Sequence, residues 1–197
     1  SQIGFFSENE NVLEYLKPFI ENKSKKKKVI LITFNKIKYK IKNVEYFYFQ
    51  TNLFRELAFL TLNLKYLYSS TPNLNKNLFK RSRTSKCKYI YLQHSLASIT
   101  MIYNDDAFDD FDAVQCVTNY HNKEYSELKK TKNLKYKIFR SNYLFLKNKI
   151  DKKKNYIKDI LIAPSWNTDF YKLNLHKIFF KHTEKLNLSM DIRVHPM

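Results

Sequence analysis

The chain has 197 residues, room for one large domain or one domain and part of another, and its 44% hydrophobic content excludes a disordered tail. A single glycine in the whole chain excludes a Walker loop and a G-x-G-x-x-G dinucleotide turn, because Gly4 alone builds neither. The formal net charge of +18 admits a nucleic acid, an anionic membrane surface or a polyanionic substrate as partner. It also admits compositional drift, since Lys, Asn, Ile, Tyr and Phe are abundant throughout.

Short apolar runs alternate with amphipathic stretches, the βαβα rhythm of a parallel sheet covered by helices. A strand is predicted over residues 2–6 and a helix over 11–22, where Val12, Leu13, Leu16, Phe19 and Ile20 recur at helical spacing. VILITF (29–34), behind the basic run Lys25 to Lys28, reads as a buried strand. A strand over 46–50, a helix over 53–64 and a short strand over 66–69 follow, ending at the turn-like SSTPN. YIYL (89–92) is a further strand, then DAVQCV (112–117) and a helix over 119–130. Polarity rises over 148–158, which is read as a linker. The rhythm then restarts with a strand over 159–163, a helix over 170–186 and a strand over 190–194. The expected fold class is α/β: a Rossmann-like domain over 1–148, a linker over 149–158, and the first βαβ unit of a second Rossmann-like domain over 159–197. Because one βαβ unit cannot close a sheet alone, the sequence is expected to be truncated there.

Three sites fall just past predicted strands, where α/β folds place function. His94, within Gln93-His94-Ser95-Leu96-Ala97-Ser98, is placed to act as a base near neutral pH; the alternative is a histidine satisfied by a local carbonyl. Ser165 and Trp166, in APSW, offer a hydroxyl for a phosphate and an aromatic wall, or an ordinary strand-to-helix loop. Arg193 and His195 alternate onto one side of a strand and could clamp an anion. His121 and Glu124, three apart at the start of a helix, are expected to line the same crevice as His94. Asp105, Asp106, Asp109, Asp110 and Asp112 interleave with Phe108 and Phe111, as in a short helix leading into a strand. They lack EF-hand spacing, so no metal site is expected. His176 and His182 are expected to face solvent. Cys87 and Cys116 have no metal or framework spacing and read as reduced thiols of a cytoplasmic protein. No window approaches ~18 uninterrupted apolar residues, so the protein is expected to be soluble or peripheral.

The order of these motifs resembles the CDP-glycerol glycerophosphotransferases and their capsule-polymer relatives. The matching stretches are YIYLQHSLAS (89–98), YNDDAFDDFD (103–112), HNKE (121–124), ILIAPSW (160–166) and RVHP (193–196). The first eighty residues match only in rhythm. The resemblance implies a GT-B architecture, with the active site between two Rossmann-like domains. It implies transfer of a glycerol-phosphate or related polyol-phosphate unit from a CDP-linked donor to an anionic polymer or glycolipid acceptor. His94 would be the base and Arg193 and His195, with Ser165, would hold the donor phosphates. Gln93, Ser95, Ser98, His121, Glu124 and Trp166 would line the pocket, with no metal or cofactor. Such an enzyme would work in the cytoplasm, peripheral on the inner face of the plasma membrane. Ser95 and Thr118 stand where relatives carry glycine. Two alternatives stay open: a GT-B nucleotide-sugar glycosyltransferase or UDP-sugar epimerase, and a basic, non-catalytic binding module. Nucleic acid is not expected, because the aromatics fall at apolar positions and not in a basic groove pattern.

Overall fold

Apolar strands deeply buried on both faces need helices or loops above and below them, and the chain supplies both. The computed structural model describes residues 3–37, 40–76, 79–144, 158–163 and 172–193. The chain divides into two compact units, Ser1–Asp151 and Lys152–Met197.

Among the described residues the first unit runs β1 (Ile3–Ser7), α1 (Glu10–Ser24), β2 (Val29–Thr33), β3 (Val44–Tyr48), α2 (Asn52–Leu60) and β4 (Tyr66–Ser69). It continues with β5 (Lys88–Tyr91), α3 (Ile99–Ile102), β6 (Ala113–Cys116), α4 (Asn119–Thr131) and β7 (Lys137–Arg140). The seven strands form one parallel sheet in the order β3-β2-β1-β4-β5-β6-β7. The order turns back on itself between β1 and β4, so this is a Rossmann-like doubly wound sheet with a crevice at that point. One face packs α1 through Leu13, Leu16 and Ile20 onto Phe5, Val29, Leu31 and Leu92. The other face carries Phe59 of α2 and Tyr125 of α4, with Phe6, Phe79, Tyr89, Tyr91, Phe108 and Phe111 between them. Many of these rings meet edge to face, the arrangement their quadrupoles favour.

The near-absence of glycine raises the question of how the helices end. Asparagine takes that task at the ends of two of them. Among the described residues the positive-φ residues outside glycine are all asparagines: Asn43, Asn73, Asn75, Asn133, Asn174 and Asn187. After α4, Asn133 has φ 51°; its N–H reaches Lys130 O at 3.4 Å and the Leu134 N–H reaches Lys129 O at 2.9 Å. That is a Schellman cap with asparagine at the left-handed position. Gly4 itself sits in β1, where an added Cβ would overlap Leu64 Cδ1.

The acidic stretch forms turns over residues 105–110 in place of a helix, and Asp106, Asp109 and Asp112 enter ion pairs. Asp106 pairs with Lys76 and Asp109 with Lys132. Asp112 accepts from Arg81 Nη2 at 2.6 Å, Lys88 Nζ at 2.9 Å and the Tyr89 N–H at 2.9 Å. Burial pushes the Asp112 carboxyl upward, but the Tyr89 N–H, Lys88 and Arg81 outweigh it and hold the group below the usual range. Arg81 also stacks on the Tyr89 ring, 4.8 Å from its centre.

Two elements of this unit were not expected from the pattern. The helix α3 has four residues, too few for a period to appear, and β7 is a sheet-edge strand with charged ends. The helix expected to run to residue 64 stops at Leu60, whose carbonyl accepts from the Arg83 N–H at 2.9 Å.

In the second unit, β8 (Ile160–Ile162) and β9 (Met190–Ile192) form a two-stranded parallel sheet joined through α5 (Leu175–Lys185). The helix α5 starts later than the residue 170 expected; residues 170 and 171 lie outside those described. It ends in a second asparagine Schellman cap, with the Leu188 N–H on Thr183 O at 2.9 Å and the Asn187 N–H on Glu184 O at 3.1 Å. The expected linker falls almost wholly on residues outside those described.

Candidate functional site

The strand β5 is central, so its carboxyl end delivers the next residues into the crevice region of the sheet. After Leu92 comes Gln93, almost fully buried, which holds the exit of the strand. Its N–H donates to Gln115 Oε1 at 3.1 Å, its Nε2 donates to Ser95 O at 2.8 Å, and its Oε1 accepts from the Tyr125 hydroxyl at 2.8 Å. Expected to line a pocket, Gln93 is instead a buried brace, because every polar end of its side chain is already matched.

His94 follows, half-buried, in a collar of tyrosines. Its Nδ1 lies 3.2 Å from the Tyr91 hydroxyl and its Nε2 lies 3.3 Å from the Tyr103 hydroxyl. The Tyr91 hydroxyl in turn donates to Tyr103 at 3.2 Å. Each ring nitrogen thus faces one phenol, and a neutral imidazole donates from one nitrogen and accepts at the other. The ring also meets Tyr15 of α1 edge to face, 5.6 Å between centres, and the His94 carbonyl accepts from the Tyr143 hydroxyl at 2.6 Å. Burial lowers the His94 pKa from its ordinary 6.5, opposed by the smaller effect of the Ser70 backbone. Desolvation raises both tyrosines, Tyr91 well above its usual value, so these phenols stay protonated beside a neutral imidazole. A neutral ring with one acceptor nitrogen, held by long hydrogen bonds that a better partner can displace, is equipped to take a proton.

The loop after His94 is clasped from α4. Thr118 caps that helix by accepting the His121 N–H at 3.1 Å, which sets His121 under the loop. His121 is buried, with Nε2 3.1 Å from Ala97 O. One turn on, the Glu124 carboxylate accepts from the Ser98 hydroxyl, from the Ile99 N–H at 3.1 Å and from the Thr100 hydroxyl at 3.4 Å. Ser95 closes the same loop by accepting the Ala97 N–H at 3.2 Å. His121 and Glu124 were expected to line the crevice; Glu124 and His121 Nε2 engage the loop, while the buried His121 Nδ1 has no hydrogen-bond partner among the described residues. The spacing read their helical face correctly but could not reveal what that face meets.

In the second unit, Arg193 is exposed just beyond β9 and its Nε donates to Asp191 Oδ2 at 3.1 Å. Asp191 lies two residues before Arg193, on the same side of the alternating strand, and is a partner not expected from the sequence. Ser165, Trp166 and His195 lie outside the described residues. His182 is exposed and His176 half-buried. Both cysteines are free and buried. Among the described residues no group of three or more His, Cys, Asp or Glu side chains is placed to hold a metal, and no helix is long and apolar enough to cross a membrane.

The collar was missed from sequence. Tyr91, three before His94, was readable as a neighbour, but nothing in the spacing marks Tyr15, Tyr103 or Tyr143. Neither the protein-family models nor the curated proteins include a match to this chain.

Proposed function

We propose that the chain belongs to a transferase resembling the CDP-glycerol glycerophosphotransferases, with the first unit on the acceptor side of a GT-B architecture. The observation that carries this reading is the half-buried, neutral His94 at the carboxyl end of a central strand, its Nε2 facing a displaceable tyrosine hydroxyl. An acceptor hydroxyl takes the place of Tyr103 on Nε2. His94 removes its proton as the oxygen attacks the donor phosphorus; the bond from phosphorus to the CMP oxygen breaks, and CMP leaves with that electron pair. Arg193 and His195, with Ser165, neutralise the donor phosphates, since phosphoryl transfer depends mainly on positioning and charge stabilisation. The motif order from residue 89 to residue 196 supports the donor class.

The test incubates the intact protein with CDP-glycerol, other CDP-polyols and UDP-sugars, and follows nucleotide release. CMP release that falls about 100- to 10,000-fold in His94→Ala, with donor affinity little changed, is the expected result. UDP release from a UDP-sugar would reassign the donor. Undiminished turnover in His94→Ala would reduce His94 to a structural residue.

A further inference from the structure

The helix α2 has one buried residue, Phe59, which meets Phe6 of β1 and Phe79 edge to face. Three further apolar residues form a ridge open to solvent: Leu53 is 66% exposed, Phe54 59% and Leu57 46%. Beside this ridge, over β2 and β3, opens a cleft of about 440 Å³ in which Ile30, Ile32, Phe47 and Phe49 join Phe54 and Leu57 in the lining. Among the described residues β3 is the terminal strand, so no further strand closes the cleft on that side.

The lining carries no charged side chain, and one of its polar residues, Thr61, already donates its hydroxyl to Leu57 O at 2.7 Å. No lysine falls between Lys42 and Lys65, and the elements that build the ridge and the cleft carry only Glu45, Glu56 and Arg55. Arg55 is held in turn, donating from Nε to Phe49 O at 3.0 Å and from Nη2 to Phe34 O at 3.2 Å. Exposed apolar surface rich in aromatics and poor in charge marks a contact site, and here charge selects the partner. An anionic membrane or a nucleic acid needs cations to meet it, and the only cation these elements offer is already engaged. Two copies of a +18 chain repel least where their lysines are absent, as they are on this surface. Its shape is also self-complementary. A ridge beside a cleft of the same polarity lets a two-fold axis set each ridge into the other copy's cleft, a helix-in-groove contact made twice.

We infer that this surface joins two copies of the chain, with Leu53, Phe54 and Leu57 of each α2 seated in the other's cleft over β2 and β3. The inference stands on this surface alone and does not rest on the proposed transfer.

The experiment is sedimentation equilibrium on the intact chain, from micromolar to millimolar concentration. A reversible monomer–dimer equilibrium is expected, and salt should strengthen it. Between about 0.1 M and about 1 M the screening length falls from about 10 Å to about 3 Å, which removes repulsion between the two +18 chains and leaves the apolar contact. In NMR the amides of Phe47, Phe54 and Leu57 should shift in step with the dimer fraction. Phe54→Lys and Leu57→Ser each act twice across the axis, so each should weaken the dimer about 30-fold or more. Both positions are exposed, so the variants should keep the fold, which their unfolding midpoints check. Met101→Ser removes an apolar side chain that is 86% exposed on α3, and as the control it should leave the dimer unchanged. A chain that stays monomeric throughout, a dimer that weakens with salt, or one that survives both variants would overturn the inference. So would retention on anionic vesicles that Leu57→Ser abolishes, which would give the surface to a membrane in place of a second copy.

Discussion

Replacing Glu124 by alanine removes the clasp that fixes the loop carrying His94. Three donors lose their acceptor: the Ser98 hydroxyl, the Ile99 N–H at 3.1 Å and the Thr100 hydroxyl at 3.4 Å. A hydrogen bond to a charged group contributes about 1.5–3 kcal/mol, and three on one carboxylate are not additive. Part of the cluster is open to solvent, so we expect a total loss of about 2–3 kcal/mol, with about 1.5–2 kcal/mol of it expressed at the Ile99 amide. Every 1.4 kcal/mol is a factor of ten, so that amide should exchange with deuterium about 10- to 30-fold faster. Glu124→Gln keeps an oxygen acceptor and should accelerate exchange less. Lys123→Ala is the control: its ion pair with Glu127 is exposed and spans 4.0 Å, so the loop should not notice its loss. Hydrogen exchange read residue by residue decides the matter. An Ile99 amide that exchanges within about twofold of wild type in Glu124→Ala would refute the clasp.

Two further outcomes follow from titrating groups. The folded His94 pKa lies below its unfolded value near 6.5, so the unfolded chain takes up a proton where the native state does not. Stability should therefore fall as pH drops through 6.5 toward the folded pKa, and an NMR titration should place the His94 midpoint below 6.5; a midpoint at or above it contradicts the burial account. Asp112 has the opposite sense: its folded pKa is depressed below 3.8, so its contribution is present above that value and is lost as pH falls through the folded pKa. Asp112→Asn should cost about 1–3 kcal/mol at pH ~7 in urea unfolding, and the gap to wild type should close in acid. A gap that persists unchanged under strongly acidic conditions would mean the charge is not what matters.

Much of the fold was legible in the sequence because its signals are local. Continuous apolar runs such as VILIT of β2 mark strands buried on both faces. Thr118 announces the start of α4, and Asn133 and Asn187 end helices where a glycine is usual. From β5 alone it followed that His94 stands at a strand's carboxyl end. What the tertiary structure decided is every relation between distant segments. That β4 lies beside β1 depends on which face each crossover covers, and no residue of either strand encodes it. The His94 collar draws Tyr15, Tyr91, Tyr103 and Tyr143 from α1, β5 and two loops, and side chains that meet only across the sheet share no spacing. Glu124 carried a helical period that named its face, while the α3 amide that this face meets lies 25 residues away. Local periodicity records where a side chain points; only packing determines what it points at.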